Sequence, residues 1–229
     1  MRASLAALLL TIVCSLNGLS AQTTLTPGER AAGWRLLFDG QSLAAWRGYN
    51  QQTMPAGWRA VNGALTRVAE GGDIITREQF QDFELALEWK IAPGGNSGIM
   101  FRVQETPDPA YYTGPEIQIL DTTGLAEKPS PETATGSNYA LHAPTADVGK
   151  PAGEWNAFWL VVRGNHVEHW LNGTRIVAYE LGSADWKQRV AASKFKDMPG
   201  YARAPRGYIA LQDHGAEIAF RNIKIRVLK

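Results

Sequence analysis

Cysteine is almost missing from this chain. One residue, Cys14, occurs in 229, which excludes an intrachain disulfide and a thiolate zinc cluster. Net charge is missing too. Lys and Arg number 23 against 22 Asp and Glu, so a basic nucleic-acid binder is disfavoured. No apolar stretch beyond the N-terminus is long enough to cross a membrane. No helical period is sustained enough for a bundle. What remains is a globular balance, 45% hydrophobic and 20% charged, with 23 Gly, 12 Pro and 8 Trp. A mass of 25.1 kDa fits one large β domain.

The N-terminus reads as a targeting segment. Arg2 is a minimal positive region, Leu5 to Val13 is an apolar run, and Ser20-Ala21 offers small residues before Gln22. Residues 1–21 are therefore expected to be a signal peptide, and the mature protein to be periplasmic or secreted. Lipidation at Cys14 is disfavoured, because Thr11-Ile12-Val13 precedes it where a lipid-attachment site needs a small residue. Without Arg2 and Cys14 the mature chain has no cysteine and no net charge, so packing must hold it together. Residues 22–32 read as an extension and 33–229 as a single domain.

Short alternating segments follow, punctuated by Gly, Asn and Pro. Phe83 to Ile91 places five large apolar side chains on one parity and Glu84, Glu88 and Lys90 on the other, the mark of a half-buried strand. Ile99, Phe101 and Val103 likewise oppose Gly98, Met100 and Arg102. Asn62-Gly63 and Asn172-Gly173 predict type I′ hairpins, and Gly164-Asn165 a third turn. Strands are predicted at 83–91, 97–103, 116–121, 158–162, 166–171, 207–212 and 217–227. Thr122–Gly153 and Ser183–Arg206 break the rhythm. The first is a long loop of the kind that is functional or mobile. In the second, Ser183 caps a short helix bearing Trp186 and Val190. The expected fold is all-β: an antiparallel jelly-roll sandwich with long loops and short helices.

The parities opposite the aliphatic ones carry the chemistry. Asn96, Gly98, Met100 and Arg102 share one face; Glu116 and Gln118 share another; Tyr208, Ala210, Gln212 and His214 a third; Glu84, Glu88 and Lys90 a fourth. If these strands are neighbours, their polar faces form one surface of carboxylates, amides, imidazole and guanidinium. Such a surface beside aromatic rings suits sugar hydroxyls, whereas an ordinary solvated face is dominated by Lys and Glu. A bulge at Ile119-Leu120 would add Asp121 to the face of Glu116. This spacing resembles the catalytic strand of jelly-roll β-glucanases, with Gln118 where a carboxylate is needed. His214, in Gln212-Asp213-His214-Gly215, can titrate near neutral pH at a strand end. His166 and His169 lie on opposite faces of one strand and suit no shared metal, His142 sits in the long loop, and Gly94 to Gly98 lacks the helix of a phosphate loop.

Several short motifs occur together: Gly33-Trp34-Arg35-Leu36-Leu37-Phe38-Asp39-Gly40, Asp82-Phe83-Glu84-Leu85, Gly95-Asn96-Ser97-Gly98, Gly114-Pro115-Glu116-Ile117-Gln118-Ile119-Leu120-Asp121, Glu154-Trp155-Asn156, Leu171-Asn172-Gly173 and Leu211-Gln212-Asp213-His214-Gly215. In this order the chain, over about residues 33–229, resembles the 3-keto-disaccharide hydrolases, long known only as a domain of unknown function. The resemblance implies a concanavalin A-like sandwich. It also implies cleavage of a 3-keto glycoside by β-elimination and rehydration, on a small oligosaccharide or glycoside. Such chemistry needs a base, an acid and a positive group. Glu116 and His214 are the candidate base and acid, in either order. Arg102, or a divalent cation held by carboxylates, would stabilise the enolate; no cofactor is otherwise indicated. Asn96, Gln118, Gln212 and Asp121 would bind hydroxyls. The alternatives are a non-catalytic carbohydrate-binding sandwich and a glycosidase acting on unoxidised sugars.

Overall fold

A computed structural model describes residues 23–228; the expected signal peptide lies outside the described residues. In chain order the strands are β1 (Trp34–Leu36), β2 (Trp46–Gly48), β3 (Trp58–Val61), β4 (Ala64–Arg67), β5 (Ile74–Thr76), β6 (Phe83–Ile91), β7 (Asn96–Val103), β8 (Glu116–Leu120), β9 (Asn156–Arg163), β10 (His166–Leu171), β11 (Thr174–Glu180), β12 (Tyr208–Leu211) and β13 (Ile218–Val227). Among the described residues, two short helices, α1 (Pro27–Ala31) and α2 (Ala184–Ala191), complete the regular elements apart from three 3₁₀ turns. The Ser183 hydroxyl caps α2, accepting the Trp186 N–H at 3.1 Å.

The strands form two antiparallel sheets. The larger has the order β11-β10-β9-β6-β13-β4-β3, with β1 also on β13; the smaller is β2-β5-β12-β7-β8. The expected all-β sandwich is therefore present. The turns follow from local chemistry: Asn62 and Gly63 have φ of 49° and 78°, Asn172 and Gly173 of 48° and 83°, the left-handed pair that a type I′ hairpin requires. Leu85, Leu87 and Trp89 of β6 meet Ile99, Phe101, Ile117, Ile209 and Leu211 of the smaller sheet in one core. Trp46, Trp58, Phe83, Phe101 and Phe220 are almost wholly buried; each such side chain contributes roughly 1.5–3 kcal/mol of burial.

Two parities differ from the sequence reading. Arg102 has φ of 57°, and the β7–β12 register slips between Tyr208 and Ala210. This bulge reverses the alternation. Val103 joins Met100 on the outer face, and Arg102 is turned away from it, donating to the Gly164 carbonyl at 2.5 Å. Glu84, Glu88 and Lys90 lie on the larger sheet, so their face is on the opposite side of the sandwich from Glu116.

Candidate active site

The outer face of the smaller sheet is built in rows, because paired residues of antiparallel neighbours stand side by side. One row runs Arg47, Ile75, Ala210, Met100, Glu116. The next pairs Gly98 with Gln118; the Gln212 N–H donates to the Gly98 carbonyl at 3.0 Å, and Asp73 follows, its carboxylate accepting the Asp213 N–H at 2.9 Å. Ile75, Met100 and Ala210 make an apolar floor. Gly98 leaves a gap in it. A Cβ there would sit 2.5 Å from Glu116 Oε1, so the carboxylate lies over bare backbone and reaches toward Gln212 and Asp73.

The walls come from the two irregular stretches. After β8 the chain doubles back along its edge. Gly136 N–H donates to the Gln118 carbonyl at 2.8 Å, and Tyr139 N–H to the Glu116 carbonyl at 2.9 Å. Tyr139 thereby borders Glu116. Lys194 opens a 3₁₀ turn (Lys194–Asp197) capped by the Ser193 hydroxyl. Its ammonium lies 4.4 Å from the Tyr139 ring centre and 4.9 Å from that of Tyr111, cation–π distances. An aromatic column fixes this turn from behind: Phe195 stacks on Tyr201 at 4.0 Å, Tyr201 on Trp186 at 5.9 Å, and Trp186 on Tyr179 at 5.5 Å.

The electrostatics follow from burial. Glu116 is 5% exposed, and burial pushes its carboxyl from 4.5 up to about 7; Lys194 opposes this and Asp73 reinforces it. Asp73 is pushed from 3.8 up to about 6, chiefly by burial, with the charge of Asp213 adding and that of His214 opposing. Lys194 stands at the mouth, still open to water. Partial loss of hydration lowers its pKa, and Glu116 opposes the shift. Asn96 Oδ1, Gln118 Oε1 and Gln212 Oε1 are buried and accept no hydrogen bond from the described residues. The site thus offers unfilled acceptors, a carboxyl that titrates near neutrality and a cation opposite it. Unfilled acceptors of this kind suit the O–H donors of a sugar.

Of the residues singled out in the sequence, Glu116, Gln118, Gln212 and Asn96 share this face. Arg102 does not, because its bulge turns it away. Asp121 does not either: β7 and β8 pair without a slip from Asn96↔Leu120 to Met100↔Glu116, so the expected bulge is absent. The Asp121 carboxylate instead accepts the N–H groups of Gly94 and Thr123 at 2.7 and 3.0 Å. His214 lies exposed in the turn after β12, close enough for its charge to act on Asp73. Asp73, Lys194 and Tyr139 were not foreseen. Asp73 precedes a three-residue strand too short to show alternation, and Lys194 lies where there is no periodicity. A divalent cation would have to use Glu116 and Asp73 with the amide oxygens, an all-oxygen set of the kind hard cations take; among the described residues no three His, Cys, Asp or Glu cluster for a metal.

The sequence profile of the 3-keto-alpha-glucoside-1,2-lyase-like domain matches residues 33–226. The chain belongs to this family. A 3-keto-disaccharide hydrolase of Bacteroides thetaiotaomicron is 32% identical, over 86% of this chain and 79% of that protein. A crystal structure from Parabacteroides distasonis, assigned provisionally as a glycosyl hydrolase, superposes with a TM-score of 0.84 at 32% identity, covering 91% of this chain and 100% of that one. A Bacillus subtilis protein with a galectin-like fold, 15% identical, shares the sandwich with a TM-score of 0.50, over 79% of this chain and 88% of its own. The Gly95-Asn96-Ser97-Gly98 and Glu116-Ile117-Gln118 motifs of this chain lie on the adjacent strands β7 and β8, with Gly98 paired to Gln118 and Met100 to Glu116.

Proposed function

We propose that the chain is exported and cleaves 3-keto glycosides by elimination followed by hydration. Glu116, buried with a carboxyl near neutrality and facing Lys194, is the observation that carries this reading. A ketone at C3 acidifies the hydrogen at C2. Glu116 takes that proton, and the C–H electrons move into an enolate whose charge Lys194 offsets. The enolate then reforms the ketone and expels the C1 substituent, whose oxygen takes up a proton. Glu116, now carrying the C2 proton, gives it to that oxygen and is ionised again for the hydration; Asp73, whose pKa lies below that of Glu116, is already ionised when Glu116 is and is not the donor. Water then adds across C1 and C2 of the 2-hydroxy-glucal, OH to C1 and H to C2. The balance is hydrolysis without an oxocarbenium ion, so no carboxylate is required at Gln118. Gln118, Gln212 and Asn96 accept hydroxyl protons of the sugar.

The deciding experiment incubates the purified protein with a 3-keto glucoside and with its unoxidised parent, in deuterated water. Release of the aglycone from the first alone, with deuterium at C2 of the product, is expected. Release from the parent would favour an ordinary glycosidase. Binding of either without turnover would favour a carbohydrate-binding module. Export is checked by the N-terminus of protein from its natural host, expected near Gln22.

A further inference from the structure

The tryptophans divide sharply. Of the 8 in the sequence, Trp46, Trp58, Trp89 and Trp186 are buried. Of the other four, Trp34, Trp159 and Trp170 lie on the outer face of the larger sheet, on the far side of the sandwich from Glu116, and Trp155, just before β9, lies under Arg221 and Lys90 of that face. Trp159 and Trp170 are paired across β9 and β10, with ring centres 5.7 Å apart. Lys224 and Ala86 pair in the same row as Trp159. Trp34 stands beside Lys224, whose ammonium lies 5.6 Å from its ring centre. Ala86 keeps the middle of the row low. The result is a hollow of about 640 Å³ with Ala86 in its lining, Trp159 and Trp170 at one side and Trp34 with Lys224 at the other. This volume is in the range of small-molecule sites.

The charges around the hollow cancel. Arg221 pairs with Glu88 at 2.7 Å, Arg226 with Glu84 at 2.6 Å, Arg175 with Glu168 at 2.8 Å, and Lys224 with Glu29. Among the described residues these pairs neutralise the cations lining the hollow; Lys90, further along the same face, lies over the Trp155 ring without a carboxylate partner, and one lysine is no basic patch for a polyanion. Among the described residues, the indole N–H groups of Trp34 and Trp159 have no hydrogen-bond partner, whereas that of Trp170 donates to Glu168 at 2.8 Å. Flat apolar faces with free donors at their edges, in a neutral surround, match a pyranose ring, which is apolar on its C–H face and polar at its rim.

We infer that this hollow is a second, non-catalytic site for neutral pyranose chains. It is independent of the chemistry assigned to Glu116, since it shares no residue with that cleft. A few stacked rings bind weakly, with Kd of roughly 0.1–1 mM. The test titrates the full mature chain with malto-, cello- and laminari-oligosaccharides and follows the indole N–H resonances by NMR, alongside the Trp159→Ala and Trp170→Ala variants. The Trp159 and Trp34 signals should move with at least one of the three series. Each variant should weaken binding at least tenfold while keeping its melting temperature and its turnover of a small substrate, and Glu116→Gln should bind as the parent does. Three results would overturn the inference. One is an absence of indole shifts with all three series. A second is binding lost in Glu116→Gln and kept in the tryptophan variants, which would place all sugar in the cleft. The third is concentration-dependent dimerisation abolished by Trp159→Ala, which would make a second copy the occupant.

Discussion

Lys194 is the foremost charge acting on Glu116, and Glu116 the foremost charge acting on Lys194. One comes from a strand of the smaller sheet and the other from an irregular turn much later in the chain. A buried carboxyl would be neutral at pH 7 and above without a cation nearby; Lys194 holds its pKa to about 7. Burial raises proton affinity and the cation limits the rise, which leaves a group able to take and return a proton at neutral pH.

Glu116→Gln keeps the shape of the side chain and removes the proton acceptor. Turnover of a 3-keto glucoside should fall by roughly 10²–10⁴-fold, with an unchanged circular dichroism spectrum. In the parent, kcat/KM should climb with pH to a plateau above about 7, because the base works ionised. Near-parental turnover in the variant, or a rate that falls as pH passes from 6 to 8, would assign the base elsewhere.

Lys194→Met removes the cation and keeps most of the stem. The enolate loses its partner, so kcat should drop by roughly 10²-fold or more. Glu116 also loses the charge that holds its pKa down, so the rising limb of the pH profile should shift to higher pH. Lys194→Arg should restore the position of that limb more than the rate. A lowered rate with an unmoved limb would mean that Lys194 acts on Glu116 only through the fold.

The strands were legible because their alternation is strong. Phe83–Ile91 and His166–Leu171 begin and end where the pattern says, and both Asn-Gly turns take the positive φ values expected. Glu116, Gln118, Gln212 and Asn96 were found by the same alternation. It failed at Arg102, where one left-handed residue reverses the parity, and at Asp121, where the postulated bulge does not form. A bulge leaves no mark in a hydrophobic pattern unless a glycine announces it. Lys194 and Tyr139 were hidden for another reason. Their places are set by an aromatic column and by a loop pairing on a sheet edge, contacts between segments far apart in sequence.

Gly98→Ala tests how much the bare backbone under Glu116 matters. The added methyl carbon would lie 2.5 Å from Glu116 Oε1 and 2.9 Å from its Cγ, inside any van der Waals contact. Flanking strands hold the backbone of β7, so the flexible side chain must give. A displacement of about 1 Å from a reacting position costs roughly 10²-fold in rate. The melting temperature should change by only a few degrees, as the methyl faces the cleft and not the core. Full activity in this variant would show that the carboxylate does not work from the place it occupies here.

The raised pKa of Glu116 also carries a stability signature. Its carboxyl titrates at about 7 when folded and near 4.5 when unfolded. Below pH 4.5 the group is protonated in both states, and its favourable contribution is fully present. Between these values the unfolded chain releases the proton first, so folding loses free energy as pH rises. Above 7 both states are ionised and the loss is complete, roughly 3 kcal/mol at 1.36 kcal/mol per unit. Glu116→Gln is neutral throughout and escapes it. The variant should match the parent at pH 4.5 and melt higher at pH 8, by roughly 6–10 °C for a domain of this size. Titrating groups that do not interact with Glu116 cancel in the comparison. Thermal melts of both proteins at the two pH values decide it. Equal differences at pH 4.5 and pH 8 would show that Glu116 carries no buried charge, and the base would then have to be sought outside β8.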